Sequence, residues 1–302
     1  MSLIKLCGKE FRVQGRGVRI ACLEGDKYKF AESPEDLIAN LRGSRKGFDI
    51  FTFMQPLSDT TPKFPYSMEW DNLAVLPVST FDHWWTQQIG FKARNKAKQA
   101  EKKGVTVREA PFDDAFIRGI WEIYNETPVR QGRPFAHYGM DLEAVRKYAE
   151  TFLDTSVFIG AYVGDTMIGF VKLTMDDTGT QAGLMHILSM VQHRDKAPTN
   201  ALMAQAVRSC AERKVSYLVY SNFAYGKKQT SSLSDFKERN GFKRVDVPRY
   251  YVPLTLTGRV ALRLGMHKRF IDRIPEPILA KIRELRNGWY NRNAVQSAAE
   301  AS

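Results

Sequence analysis

Cysteine is scarce: Cys7, Cys22 and Cys210 are odd in number and far apart, with no Cys-x-x-Cys or Cys/His cluster. That excludes a disulfide framework, argues against a zinc site, and fits a reducing compartment. No apolar run approaches the length of a membrane span, and the first seven residues meet charge too soon for a secretory core. The chain is therefore expected to be cytoplasmic. Repeats of solenoid period are absent. Negative charge is also in deficit, with 33 Asp plus Glu against 45 Lys plus Arg and a net charge of +12. Such a balance favours polyanions: nucleic acid, phosphorylated small molecules or an anionic membrane surface. What is present, 43% hydrophobic and 26% charged residues over 302 positions, belongs to a globular chain of one large or two ordinary domains.

Residues 1–79 read as a small α+β unit. Alternation between Phe11 and Phe30, broken by Gly15, Gly17 and Gly25-Asp26, predicts hairpin strands. Ser33-Pro34 with following acids predicts a helix start. Strands are expected at Phe48–Met54 and Asn72–Val78, with Tyr66–Asp71 as a polar and aromatic loop. A linking helix is expected over 80–104, capped by Thr80 and ended by Gly104. Its basic positions, Lys92, Arg94, Lys96, Lys98, Lys102 and Lys103, surround inward Ala93, Ala97 and Ala100. They form either a solvated face or an arm that touches a polyanion such as tRNA.

From Val105 to 257 the pattern predicts a second α/β domain. Helices are expected over Asp113–Glu126, Asp141–Leu153 and Asn200–Arg213, and strands over Val157–Val163, Met167–Leu173, Ala182–Val191 and Ser216–Ser221. Gly164-Asp165 signals a hairpin. Two further strands, Lys243–Val247 and Tyr250–Leu254, close the order. The tail 258–302 is basic: nine Lys or Arg stand against three acids up to Arg292, interleaved with apolar residues. It reads as helices packed on the body or lying on an anionic membrane at its inner face.

This element order resembles that of GNAT acyltransferases, and Ser232-Leu-Ser-Asp-Phe-Lys-Glu-Arg-Asn-Gly-Phe-Lys-Arg-Val245 is similar to the last helix of that family. With the smaller unit and basic helix in front, the layout also resembles the Fem-type peptidyltransferases. The resemblance implies a mixed α/β sheet and N-acyl transfer to an amine on a small molecule or cell-envelope precursor; no metal is expected. The donor implied by the fold order is acyl-coenzyme A, with aminoacyl-tRNA, suggested by the basic helix and the missing glycines, as the alternative. A non-catalytic protein of this fold that docks on RNA or membrane is the rival.

By the same resemblance, backbone N–H groups among Ile187, Ser189 and Val191 would meet the oxyanion. The turn with His193, Arg194 and Lys196, leading to Thr199 and Asn200 at a helix start, would hold the donor's phosphates. Aligned on the family's phosphate loop, Arg194–Thr199 puts Ala197 and Thr199 where glycines belong and Pro198 between them. Tyr225 is the candidate acid and Asn222 the orienting residue. His186, mid-strand, is either core or general base, with Glu69 and Asp71 as alternative carboxylates. The loop with Arg130, Arg133, His137 and Tyr138 would suit an anionic acceptor.

Overall fold

The computed structural model describes residues 2–268 and 281, except 7, 16, 27, 29–30, 32, 45–46, 131 and 225–231. The strands are β1 (Ser2–Leu6), β2 (Lys9–Gln14), β3 (Ile20–Leu23), β4 (Ile50–Met54), β5 (Ser67–Pro77), β6 (Thr106–Ala110), β7 (Val129–Arg130), β8 (Arg133–Pro134), β9 (Ser156–Val163), β10 (Thr166–Met175), β11 (Gln181–Ser189), β12 (Tyr217–Asn222) and β13 (Lys243–Pro253). The helices are α1 (Pro34–Gly43), α2 (Phe81–His83), α3 (Phe91–Lys102), α4 (Asp114–Asn125), α5 (Leu142–Ala149), α6 (Pro198–Glu212), α7 (Ser232–Arg239) and α8 (Leu256–Arg263). Among the described residues, no helix is long and apolar enough to cross a membrane.

The chain divides into two compact units, each gathered from separate stretches. The first comprises Met1–Ser79, Met175–Gly183 and Arg213–Arg269; the second includes Thr80–Thr174 and Leu184–Glu212. Segment 105–257 thus contributes to both. In the first unit the strand order is β1-β2-β3-β4-β13-β5-β12, followed by the opening residues of β11. Its pairs are antiparallel except β3 with β4 and β11 with β12. Helix α1 turns Leu37, Ile38 and Leu41 onto Phe11, Phe51, Phe53 and Tyr250, the centre of this core.

The second unit orders its strands β11-β10-β9-β6. Its helix α4 has the spacing of an amphipathic helix: Phe116, Ile117, Ile120, Ile123 and Tyr124 are buried, and the Asp113 carboxylate accepts from Phe116 N–H as cap. The Gly164-Asp165 hairpin is present, with Val163 opposite Thr166 and Gly164 at φ +58°. In α3 the three alanines face inward and the lysines outward.

Several local expectations change. Residues 80–103 are not one helix: after α2 comes a π-helical turn, Trp84–Gln88, and Ile89 and Gly90 are extended before α3. The wide turn accompanies complete burial of Trp84 against Phe81 and Trp85. Tyr66–Asp71 is not a loop, because Ser67–Asp71 pair with Val247–Tyr251 as the first half of β5. The two strands expected after Phe242 are one, β13, which pairs with β4 and β5. Ser33 precedes α1 without a side-chain capping bond. Helix α6 begins at Pro198, not Asn200, because a proline has no N–H to lose in a first turn.

Candidate active site

In the second unit, β11 ends in a turn built around one carboxylate. Glu126, just past α4, accepts from Val191 N–H at 2.8 Å through Oε2 and from Gln192 N–H at 2.8 Å through Oε1. Arg130 lies 3.0 Å from the same Oε2, donates to the carbonyls of Ser189 and Ile123 at 2.7 Å each, and lies over the Phe135 ring. Both side chains are largely buried, so this is a fixed clamp and not a surface pair. Arg130 and Val191, expected to meet acceptor and oxyanion, are thus joined to each other through Glu126. Met190 N–H donates to Ile168 O on β10. By strand alternation, Ile187 and Ser189 point their N–H groups away from β10. The Ser189 and Thr199 hydroxyls bond each other at 2.8 Å.

The turn that follows keeps a helix start and positive charge. Ala197 adopts the left-handed conformation at φ +53°, where glycine is the usual occupant. Asn200 N–H donates to Ala197 O inside the first turn of α6. Asp195 is drawn to Lys103 of the basic helix at 3.0 Å, and its carboxyl is held below the usual range first by that hydrogen bond. Lys196 lies 4.0 Å from the same carboxylate. Arg194 is exposed, and His193 Nδ1 is buried without a hydrogen-bond partner.

Beside β11 lies a cluster that combines histidine, tyrosine and lysine. His186 comes from β11, Phe170 and Lys172 from β10, Tyr124 from α4, Tyr148 from α5, and His137 from the loop after β8. That loop is pinned by Asn125, whose side chain accepts from Gly139 N–H and donates to Met140 O. The His137 ring stacks on Tyr124 with centroids 4.5 Å apart, and Tyr148 lies 5.0 Å from His137 and 5.2 Å from His186. Burial pulls the His186 pKa down to about 4, with Lys172 and His137 adding to the effect. Burial also lowers His137 and raises the Tyr148 phenol, so the cluster presents neutral imidazoles and a protonated hydroxyl. Tyr148 is 40% exposed and opens the cluster to solvent. Lys172 is pulled down to about 8 by burial, although Ala149 O, Thr151 O and Thr151 Oγ1 all accept from its ammonium and favour the charged form.

Arg133 and Tyr138 are exposed on the same loop as His137. The remaining sequence candidates lie in the first unit. Asn222, at the end of β12, donates to Asp71 at 2.8 Å, and its carbonyl accepts from the buried Lys237 at 2.5 Å. Asp71 and Asp26 both hold Arg249. Burial works against that guanidinium's charge, but the two carboxylates more than offset it and keep its pKa above the ordinary value. Glu69 pairs with His267 and Lys268. Tyr225 lies outside the described residues. Sequence reasoning missed Glu126, Tyr124, Tyr148 and Lys172. Two signals existed: the four-residue spacing of Glu126 and Arg130, and a single lysine inside the apolar run of β10.

No protein-family model matches this sequence, and no curated protein matches it. Among solved structures, FemX superposes with a TM-score of 0.61 at 9% identity, over 84% of this chain and 86% of FemX. L-PGS from Bacillus licheniformis gives 0.56 at 14% identity, over 87% and 88%. The C-terminal domain assigned to a lysylphosphatidylglycerol synthetase of Agrobacterium fabrum gives 0.55 at 12%, over 86% of each chain. The chain thus has the mixed α/β fold of FemX and of the lysylphosphatidylglycerol synthetase domain.

Proposed function

We propose that this protein is an N-acyltransferase whose donor is an aminoacyl-tRNA and whose acceptor is an amine on a small molecule or cell-envelope precursor. The observation that carries the choice of donor is the Glu126 carboxylate on the Val191 and Gln192 N–H groups. By the resemblance to GNAT enzymes, backbone N–H groups on this strand would meet the oxyanion of a coenzyme A thioester, and here the two at its end are engaged by Glu126. Exposed Lys92, Lys96, Lys98 and Lys102 on α3 supply a surface for a phosphodiester backbone. The name of one structural neighbour, lysylphosphatidylglycerol synthetase, describes an aminoacylated product, which agrees with an aminoacyl donor.

In this reading the acceptor amine attacks the ester carbonyl, a C–N bond forms, and the C–O bond to the tRNA ribose breaks. The proton lost by the amine ends on the departing oxygen. Neutral His137 and His186 accept hydrogen bonds from the amine, and the Tyr148 hydroxyl donates to the oxygen that gains charge. A second reading, acyl-coenzyme A as donor, is favoured by Ala197 holding the left-handed position of a phosphate-loop glycine.

The test is tRNA binding by the full chain across a salt series. Lys92→Glu, Lys96→Glu and Lys102→Glu combined should flatten the salt slope by about two to three units and weaken binding at least about a hundredfold. Unchanged binding would remove α3 from the donor site.

A further inference from the structure

Helix α8 is amphipathic in the reverse sense. The Thr255 hydroxyl caps it, accepting from Gly258 N–H at 3.0 Å and donating to Asp49 at 2.8 Å. The face turned to the body carries small residues, with Leu262 half-buried beside them. Ala261 is buried, and Gly258 lies so close that an added Cβ would stand 1.9 Å from Asp49 O. Leu256, Val260 and Leu264, four residues apart and hence on one stripe, are 77%, 55% and 67% exposed, and Met266 beyond them is 48% exposed. A helix that only packs on its own unit turns its large apolar side chains inward.

The charges around that stripe have one sign. Residues 256–268 contain Arg259, Arg263, His267 and Lys268 and no acid. Arg259 and Arg263 are exposed beside the leucines, while His267 and Lys268 are paired with Glu69. We infer that this outer face of α8 docks on an anionic lipid bilayer, the leucines and Val260 entering the acyl boundary and the two guanidinium groups meeting phosphates. A second copy fits less well, because a two-fold contact on this patch would set Arg259 and Arg263 against themselves with no carboxylate on the patch to answer them. The inference is independent of the acyl donor.

Flotation of the full chain with phosphatidylcholine vesicles, with and without phosphatidylglycerol, tests it. The protein should float with the anionic vesicles and stay behind with neutral ones. Leu256→Ser, Val260→Ser and Leu264→Ser combined should cut binding by about tenfold or more at an unchanged melting temperature. Arg259→Glu with Arg263→Glu should abolish it. Should the serine variant unfold, Val260→Trp serves instead, its emission shifting to the blue only on anionic vesicles. The inference is overturned if the native chain ignores anionic vesicles, if the serine variant binds as well as the native chain, or if anionic vesicles leave the emission of the Val260→Trp variant unmoved. Light scattering that shows a dimer which the serine changes split would overturn it in favour of self-association.

Discussion

The Glu126 carboxylate sits 2.8 Å from the Val191 N–H, although 65 residues separate them in sequence. One side chain thus satisfies two backbone donors and the charge of Arg130. Replacing it with alanine strands a buried guanidinium, so Glu126→Ala should lose about 3 kcal/mol in urea unfolding. The freed N–H groups and Arg130 should also take up an added anion. Millimolar phosphate should raise the melting temperature of Glu126→Ala more than that of the native chain. An equal response in both proteins would mean the clamp is not an anion-sized site.

Ala197 carries a left-handed backbone with a side chain that resists it. Ala197→Gly should relieve roughly 1 to 2 kcal/mol of local cost while adding somewhat less in unfolded-chain entropy. A net gain of about 0.5 kcal/mol in urea stability is expected. A loss would show that the alanine methyl contributes packing that outweighs the strain.

The pH dependence follows from His186. Its pKa is about 4 in the fold, against 6.5 ordinarily. Well above pH 6.5 the imidazole is neutral in both states and contributes no slope. As pH falls from 6.5 toward 4 the unfolded chain takes up a proton that the folded chain refuses, so stability declines, by at most about 3 kcal/mol in total. His186→Phe should flatten this part of the curve. A curve unchanged by the substitution would assign the acid sensitivity to other groups.

Gly258 is required by contact, since its position leaves no room for a methyl group against Asp49 O. Gly258→Ala should cost about 1 to 3 kcal/mol and loosen α8 from its unit, read as faster amide exchange across Val260–Leu264. Normal exchange there would contradict the close packing.

Much of the fold is legible because its signals are local. The apolar spacing of α4, the Gly164-Asp165 hairpin and the Asn240-Gly241-Phe242 ending of α7 each depend on neighbours within a few residues. Gly241 lies at φ +87°, and its N–H and that of Phe242 return to Glu238 and Lys237 as such an ending requires. The first half of β5 was not legible: Glu69 and Asp71 are held by Lys268 and Arg249, almost two hundred positions later. The same holds for the site. His186 reads as a lone mid-strand histidine and His137 as part of an acceptor loop, but the roles of Glu126, Tyr148 and Lys172 come from partners that only the tertiary structure supplies. The helix start and basic residues of the expected phosphate turn are present, while the Val191 and Gln192 N–H groups at the end of β11 are taken up by Glu126.

The most direct test of the donor assignment is a side-by-side titration of the full chain with bulk aminoacyl-tRNA and with coenzyme A at one ionic strength, by fluorescence and by thermal stability. The assignment predicts saturable, salt-sensitive binding of aminoacyl-tRNA and no response to millimolar coenzyme A. Saturable stabilisation by coenzyme A, with no binding of aminoacyl-tRNA, would contradict it.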